Sequence, residues 1–138
     1  MRVGDHLRLL RHFYPTWDQK EAARLLDLFG LDPKTLYRDL PKDRRTLENL
    51  AVALAHHPRL LLLDEPFIEL ESEDRRSVST VVLDHLRKEG RADLFVTQSV
   101  DDAVTCADRI AVLQGGRVTM QNDLGATAGV ESPRRAVA

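Results

Sequence analysis

Apolar residues recur at helical spacing in several stretches of the chain. The clearest helix is predicted between Asp18 and Gly30, with Asp18 and Glu21 at the spacing of a capping box. Its apolar stripe consists of Ala22, Leu25, Leu26 and Phe29. Similar stripes predict further helices at residues 5–13, around 47–54, at 72–90 and at 99–107.

Shorter apolar runs predict strands. Residues 60–63 are four leucines that lead straight into Asp64 and Glu65, and we expect them to form a strand buried in a parallel sheet. Three more strands are expected at 94–97, 110–113 and 118–120. Because strands alternate with helices, the predicted fold class is α/β with a largely parallel sheet.

The order of these elements predicts three parts. Residues 1–58 are predicted to form a helical subdomain, and residues 59–121 an α/β half. From residue 122 to 138 the chain contains several Ala and Gly residues, single Ser and Pro residues and scattered charges, and it has no apolar period, so a disordered tail is expected there.

Composition narrows the possible functions. The 138 residues carry a formal net charge of −2 with both signs mixed, so no nucleic-acid partner is expected. The longest apolar run falls far short of the ~20 residues of a membrane span, and no signal peptide is visible. We therefore expect a cytoplasmic protein. A single cysteine and scattered histidines favour neither a disulfide nor a metal cluster.

Asp64 and Glu65 are the strongest chemical signal. A strand ending there delivers both carboxylates to the carboxyl edge of a parallel sheet, where α/β proteins bind ligands. Neighbouring side chains on a strand point in opposite directions, so one could hold Mg²⁺ while the other polarises a water molecule. The alternative is a pair of solvated acids at a strand end.

The context of this pair resembles a known family. Residues 40–45, the helix that ends at 51–58 and the block 60–66 resemble the signature-to-Walker-B stretch of ABC transporter ATPases. Residues 94–103 and 107–118 resemble the switch strand and closing strands of that family, and 14–18 with 29–31 resemble the helical subdomain of bacterial drug- and peptide-export ATPases. The resemblance implies a partial P-loop NTPase-like layered domain with an N-terminal helical subdomain.

The same resemblance implies a role for each site residue. Asp64 corresponds to the Walker B carboxylate that binds Mg²⁺, and Glu65 to the catalytic base. Gln98 stands where relatives have the switch histidine, and Glu71 retains the acid of a Gly-Leu-Asp turn. The degenerate signature loop, a nucleotide-binding element in relatives, comprises Leu40, Pro41, Lys42, Asp43 and Arg44.

Two of these loop residues oppose phosphate binding. Pro41 offers neither a hydroxyl nor an amide hydrogen. Asp43 would repel a phosphate by about 4 kcal/mol at ~4 Å and an effective dielectric constant near 20.

The phosphate-loop pattern G-x-x-x-x-G-K-S/T is absent from the sequence. ATP and Mg²⁺ are therefore expected to bind only with a complementing chain.

These observations predict a partial, divergent ATP-binding subunit of an ABC-type transporter that does not hydrolyse ATP alone. Alternatives are a non-catalytic interaction or regulatory module, half of an ATPase completed by another chain, or a fragment of a longer protein. Expected partners are a second copy, a complementing ABC subunit or a membrane permease, which would hold the chain at the inner face of the membrane.

The resemblance also implies a vacant position in the sheet. In the family the strand that carries the phosphate loop lies between the switch strand and the strand matching residues 110–113. Without it, the final hairpin could slide over, another copy could donate strands, or a separate polypeptide could supply the missing half. Self-association or a rearranged sheet is the favoured expectation.

Overall fold

Helices and strands alternate in the computed structural model, which describes residues 1–88, 90, 92–121 and 135–137. The helices are α1 (Val3–Leu10), α2 (Gln19–Leu28), α3 (Lys42–Ala55), α4 (Ser72–Lys88) and α5 (Val100–Cys106), with a 3₁₀ turn at Tyr37–Asp39. The strands are β1 (Leu60–Asp64), β2 (Ala92–Val96), β3 (Arg109–Gln114), β4 (Arg117–Gln121) and β5 (Arg135–Val137).

These elements belong to two compact units. The helical unit comprises Met1–Pro58 and Glu69–Val78, and the sheet unit comprises Arg59–Ile68 and the described residues from Ser79 onward. Helix α4 begins in the first unit and ends in the second. Among the described residues, none of the helices combines the length and apolar character needed to cross a bilayer.

The start of α2 shows how local sequence produces the helical unit. The Asp18 carboxylate accepts hydrogen bonds from the backbone N–H groups of Lys20, at 2.8 Å, and Glu21, at 3.0 Å. Only half of the predicted capping box forms, because Glu21 pairs with Arg24 at 2.7 Å instead. The Asp18 N–H donates to the Ala55 carbonyl at 2.8 Å, which ties the start of α2 to the end of α3.

Helix α1 lies two to three residues earlier than the predicted range 5–13. Its first turn is fixed by distant backbone: the Val3 N–H donates to the Thr35 carbonyl at 3.0 Å, and the Gly4 N–H donates to the Pro33 carbonyl at 2.9 Å. These bonds use N–H groups that a helix start leaves without an intrahelical partner, so the helix can begin at Val3.

The sheet has the order β1-β2-β5-β3-β4. Strands β1, β2, β5 and β3 are parallel, and β4 runs antiparallel to β3, which confirms the largely parallel α/β sheet. Strand β5 occupies the position between β2 and β3, so the final hairpin has not moved across to pair with β2. Of the predicted disordered tail, residues 122–134 and 138 lie outside the described residues, whereas Arg135–Val137 form this strand.

The expectation that β1 is buried is only half right. Leu61 and Leu63 are buried, but Leu60 is 57% exposed and Leu62 is 65% exposed. Strand β1 is at the edge of the described sheet, and its side chains alternate between a packed face and an open face. On the packed side, Phe67 is fully buried and its ring lies 5.3 Å from that of Phe95.

Candidate functional site

The carboxyl end of β1 carries the two predicted acids. Asp64 is the last residue of the strand and is exposed. Glu65 follows with a φ of 44°, a left-handed conformation that costs a non-glycine residue about 1–2 kcal/mol. The Glu65 N–H donates to the Val96 carbonyl at 2.9 Å, so the bend is held against the end of β2. Unfavourable backbone geometry of this kind is common at functional sites.

The Glu65 carboxylate is bound by the segment that follows β2. Its Oε1 accepts a hydrogen bond from the Gln98 backbone N–H at 2.9 Å, and its Oε2 accepts one from the Thr97 hydroxyl at 3.3 Å. The Thr97 Oγ1 in turn accepts from the Ser99 N–H at 3.0 Å. These bonds orient the carboxylate.

Gln98 therefore reaches Glu65 through its backbone rather than through its side-chain amide. Thr97, which the sequence did not single out as a site residue, contacts the same carboxylate with its side chain. The available signal was its position: a hydroxyl at the end of a strand that neighbours the acidic strand. From the sequence, Thr97 is expected only to end the strand at 94–97, so its contact with the Glu65 carboxylate was not predicted.

A cavity of about 820 Å³ opens beside these residues within the sheet unit. Asp64, Glu65, Thr97 and Gln98 all line it. The remaining lining is mostly apolar and comes from the end of β2, from α5 and from β3. A concave site that combines apolar walls with a few polar groups is the usual form of a ligand pocket.

The predicted signature residues lie in the helical unit and form the start of α3. Leu40 is buried, Pro41 is the N-cap residue, and residues 42–44 make the first turn. Proline suits a helix start because the first N–H groups have no intrahelical acceptor. This stretch is therefore a regular helix entry.

Arg44 makes polar contacts within that unit. Its guanidinium lies 3.3 Å from the Asp43 carboxylate and 3.5 Å from that of Asp74, and Nη1 donates to the Phe29 carbonyl at 3.1 Å. Asp43 is thus paired with a cation on its own helix, which reduces the repulsion that an approaching phosphate would meet. Because these partners are distant in sequence, local spacing could not reveal the Asp74 and Phe29 contacts.

Glu71 is also in the helical unit, immediately before α4. It is exposed, and its carbonyl accepts a hydrogen bond from the Arg75 N–H at 2.8 Å. The structure therefore brings Asp64, Glu65 and Gln98 together in the sheet unit. The predicted residues 40–44 and Glu71 belong to the other unit.

Asp64 fits Mg²⁺ as one ligand of an incomplete set. Among the described residues, no group of three or more His, Cys, Asp or Glu side chains is placed to hold a metal ion. Magnesium in nucleotide sites is usually held by one or two carboxylates together with waters and phosphate oxygens. The exposed Asp64 carboxylate can serve as one such protein ligand. The other ligands must then come from the nucleotide or from another polypeptide.

Comparison with known proteins finds curated relatives that are named as import ATP-binding proteins. An aliphatic sulfonates import ATP-binding protein of Mycobacterium avium (strain 104) is 46% identical over 87 residues, which cover 63% of this chain and 32% of that protein. An Fe(3+) ions import ATP-binding protein of Rhodococcus jostii (strain RHA1) is 37% identical over 99 residues, covering 70% of this chain and 29% of that protein. No protein-family model matches the chain.

A solved structure shows the same fold. The crystal structure of a protein described as a cobalt transport ATP-binding protein superposes with a TM-score of 0.70 at 21% identity, and the match covers 86% of this chain and 45% of that one. The predicted P-loop NTPase-like fold class is thereby confirmed. The chain spans about a third of the length of the curated relatives described above, and over that part it is homologous to the ATP-binding subunits of ABC transporters.

Proposed function

We propose that this chain is a partial ABC-type ATP-binding subunit, unable to hydrolyse ATP alone, whose site is completed by a second polypeptide. The observation that supports the proposal is the Asp64-Glu65 pair at the carboxyl end of β1, with Glu65 oriented by Thr97 and by the Gln98 backbone. The sequence itself lacks the lysine and glycine-rich loop that hold phosphates in such enzymes.

In the completed site each residue would have a distinct task. Asp64 would contribute one carboxylate to Mg²⁺, which when bound spreads the negative charge of the phosphates. Glu65, held by two donors, would accept a hydrogen bond from a water molecule and orient it. Gln98 replaces a histidine of relatives and offers an amide that hydrogen-bonds to a phosphate oxygen without carrying charge.

The residues of the helical unit have weaker support as nucleotide ligands. Lys42 would supply positive charge to phosphate, and Glu71 would retain an acidic position found in relatives. Asp43 and Arg44 are paired with each other, and Arg44 also lies against Asp74. Because two carboxylates already surround Arg44, its positive charge offers little attraction to phosphate, and this favours the second candidate function, a regulatory or interaction module that keeps the scaffold without nucleotide.

Calorimetric titration with ATP and Mg²⁺ tests the proposal. The chain alone should give no measurable heat. When the chain is mixed with a purified amino-terminal fragment of a homologous ATP-binding subunit that contains the phosphate loop, the mixture should bind ATP. In this mixture, Glu65→Gln should still bind nucleotide but should abolish turnover. Asp84→Asn, which removes an exposed carboxylate on α4, is the matched control and should leave turnover unchanged. Absence of ATP binding with the fragment supports the regulatory module, and turnover by the chain alone refutes both candidates.

The cellular setting follows from the same proposal. The relatives are named as import ATP-binding proteins, and an ATP-binding subunit works with a membrane permease. We therefore propose a cytoplasmic location at the inner face of the membrane through such a partner. The drug- and peptide-export subtype, suggested by residues 14–18 and 29–31, stays a prediction that transport assays with exporter and importer permeases would test.

A further inference from the structure

A cavity of about 500 Å³ opens between α1 and α2 within the helical unit, and we refer to it as the α1–α2 groove. Leu7 of α1 and Leu26 of α2 line it and are otherwise buried in the core of that unit. Ala23 is exposed at its edge, and this small side chain leaves the space between the helices open. Ligand pockets are usually about 300–1,000 Å³ in volume and combine apolar walls with a few polar groups. The groove therefore has the size and lining of a site for a small ligand.

The two ends of the α1–α2 groove differ in character. Arg11 and Gln19 lie at one end, because the connection from α1 to α2 runs between these two residues. Leu31 and Pro33 form the opposite end, where the Gly4 N–H donates to the Pro33 carbonyl at 2.9 Å. A Cβ atom at Gly4 would lie only 3.1 Å from the Pro33 Cβ, so the two segments meet tightly there. The groove thus leads from a polar end to an apolar end.

The polar end of the groove offers hydrogen-bond donors. The oxygen of the Gln19 amide already accepts a hydrogen bond from the Trp17 indole N–H at 3.2 Å, which leaves the NH₂ group of the same amide for another partner. Among the residues that the structure describes, none pairs with the Arg11 guanidinium. Arg8, by contrast, is paired with Asp5 at 3.0 Å. An anion at this end would therefore meet an uncompensated cation beside a neutral donor.

Asp27 determines the direction in which a charged ligand fits. It is exposed and lines the groove, and along α2 it lies about 12 Å from Gln19, given a rise of about 1.5 Å per residue. Its carboxylate would repel an anionic group at that end, so the favourable place for the anion is beside Arg11. An aliphatic chain attached to the anion would then extend over Leu7 and Leu26, where it is removed from water.

We propose that the α1–α2 groove is a binding site for a medium-chain aliphatic carboxylate. The ligand carboxylate accepts hydrogen bonds from the Arg11 guanidinium and from the Gln19 NH₂ group, and the chain lies on Leu7 and Leu26. The site uses residues of the helical unit alone, so it goes beyond the proposed function and needs neither nucleotide nor a second polypeptide. A ligand that binds only the folded state stabilises it, so occupancy of the groove would stabilise the pairing of α1 with α2.

Titration of the full chain with decanoate, below its micellar concentration and without nucleotide, tests the proposal. Trp17 is the only tryptophan of the chain, and its contact with Gln19 lets its fluorescence report on the polar end of the groove. Arg11→Ala should weaken decanoate binding about tenfold, because a hydrogen bond between charged groups is lost. Ala23→Phe should fill the groove and abolish binding. 1-Decanol, which has the same chain without the charge, should bind wild type and Arg11→Ala equally.

Lys20→Ala is the matched control, because it removes an exposed cation of α2 that does not line the groove. Its affinity for decanoate should equal that of wild type. Failure of wild type to bind decanoate, by fluorescence and by calorimetry, refutes the site, as does equal affinity of wild type and Arg11→Ala. If Lys20→Ala weakens binding as much as Arg11→Ala does, the attraction is not specific to the groove and the proposal is wrong. If circular dichroism shows that Ala23→Phe does not fold, Arg11→Ala, which changes an exposed side chain, still decides the test.

Discussion

The buried pair between His6 on α1 and Glu48 on α3 should make the stability of the helical unit depend on pH. The His6 Nδ1 lies 2.6 Å from the Glu48 Oε1, and the Glu48 side chain is fully buried. The second carboxylate oxygen of Glu48 has no hydrogen-bond partner among the described residues. Burial raises the pKa of Glu48 above its usual 4.5, and the hydrogen bond from His6 opposes that rise.

The sign of the pH effect follows from the raised pKa. A carboxyl group that holds its proton more tightly in the folded state contributes stability that is complete below its unfolded pKa. That contribution is lost as pH rises through the folded pKa. Glu48→Gln keeps the shape of the side chain but cannot titrate. Relative to wild type, this variant should therefore gain stability as the pH is raised from 4 toward 8.

Substitution of His6 should change the stability of the helical unit more than substitution of Glu48 does. Removing the partner of a buried carboxylate costs about 3–5 kcal/mol, and we expect the lower value, about 3 kcal/mol, for His6→Ala at pH 7 because the His6 side chain is 24% exposed. At pH 4 the raised pKa of Glu48 keeps this carboxyl protonated, so removing His6 leaves no buried carboxylate charge without a partner, and the cost should fall to about 1 kcal/mol.

Urea unfolding followed by circular dichroism at pH 4 and pH 7 measures both effects. His12→Ala is the matched control, because His12 is exposed just after the end of α1 and its ring lies against the Leu9 carbonyl. It should change stability by less than about 0.5 kcal/mol at either pH. An equal cost of His6→Ala at the two pH values, together with parallel pH profiles for Glu48→Gln and wild type, would show that the pair carries no charge.

Three further substitutions test local features of the fold by the same unfolding measurement. Asp18→Ala removes the N-cap of α2 and should lower the free energy of unfolding by about 1 kcal/mol, whereas the control Asp27→Ala, within the same helix, should change it little. His57→Gly should raise the free energy of unfolding by about 1 kcal/mol, because His57 has a φ of 54°, which glycine adopts without strain. No increase would mean that the contact of His57 with Asp18, 3.5 Å away, contributes more to stability than the strain costs. Phe67→Ala should cost about 3–5 kcal/mol, and the exposed Phe13→Ala should cost little; similar losses would contradict the assigned core.

Local chemistry explains which elements could be predicted from the sequence. Asp18 caps α2, and Ser99 caps α5 by accepting a hydrogen bond from the Asp102 N–H at 3.2 Å. Both signals lie within three residues of the group they serve, so sequence spacing suffices to find them. The strands at 60–63 and 94–97 were predictable for a similar reason, since short apolar runs end at polar residues.

Features that depend on distant partners could not be predicted in this way. The early start of α1 depends on the Thr35 carbonyl, and the position of Arg44 depends on Asp74. The orientation of Glu65 depends on Thr97, more than thirty residues away. Strand β5 lies in a stretch with no apolar period, so only the pairing offered by β2 and β3 distinguishes it. At the candidate site, spacing identified the acids but not the groups that hold them.

The open face of β1 has a practical consequence for work with the purified protein. At the edge of the described sheet, a strand that presents Leu60 and Leu62 to water can pair with another extended chain, including a second copy of itself. We therefore expect the purified protein to precipitate when the sample is concentrated. Leu62→Lys, which places a charge in mid-strand, should raise the solubility limit without disturbing Leu61 or Leu63 on the packed face.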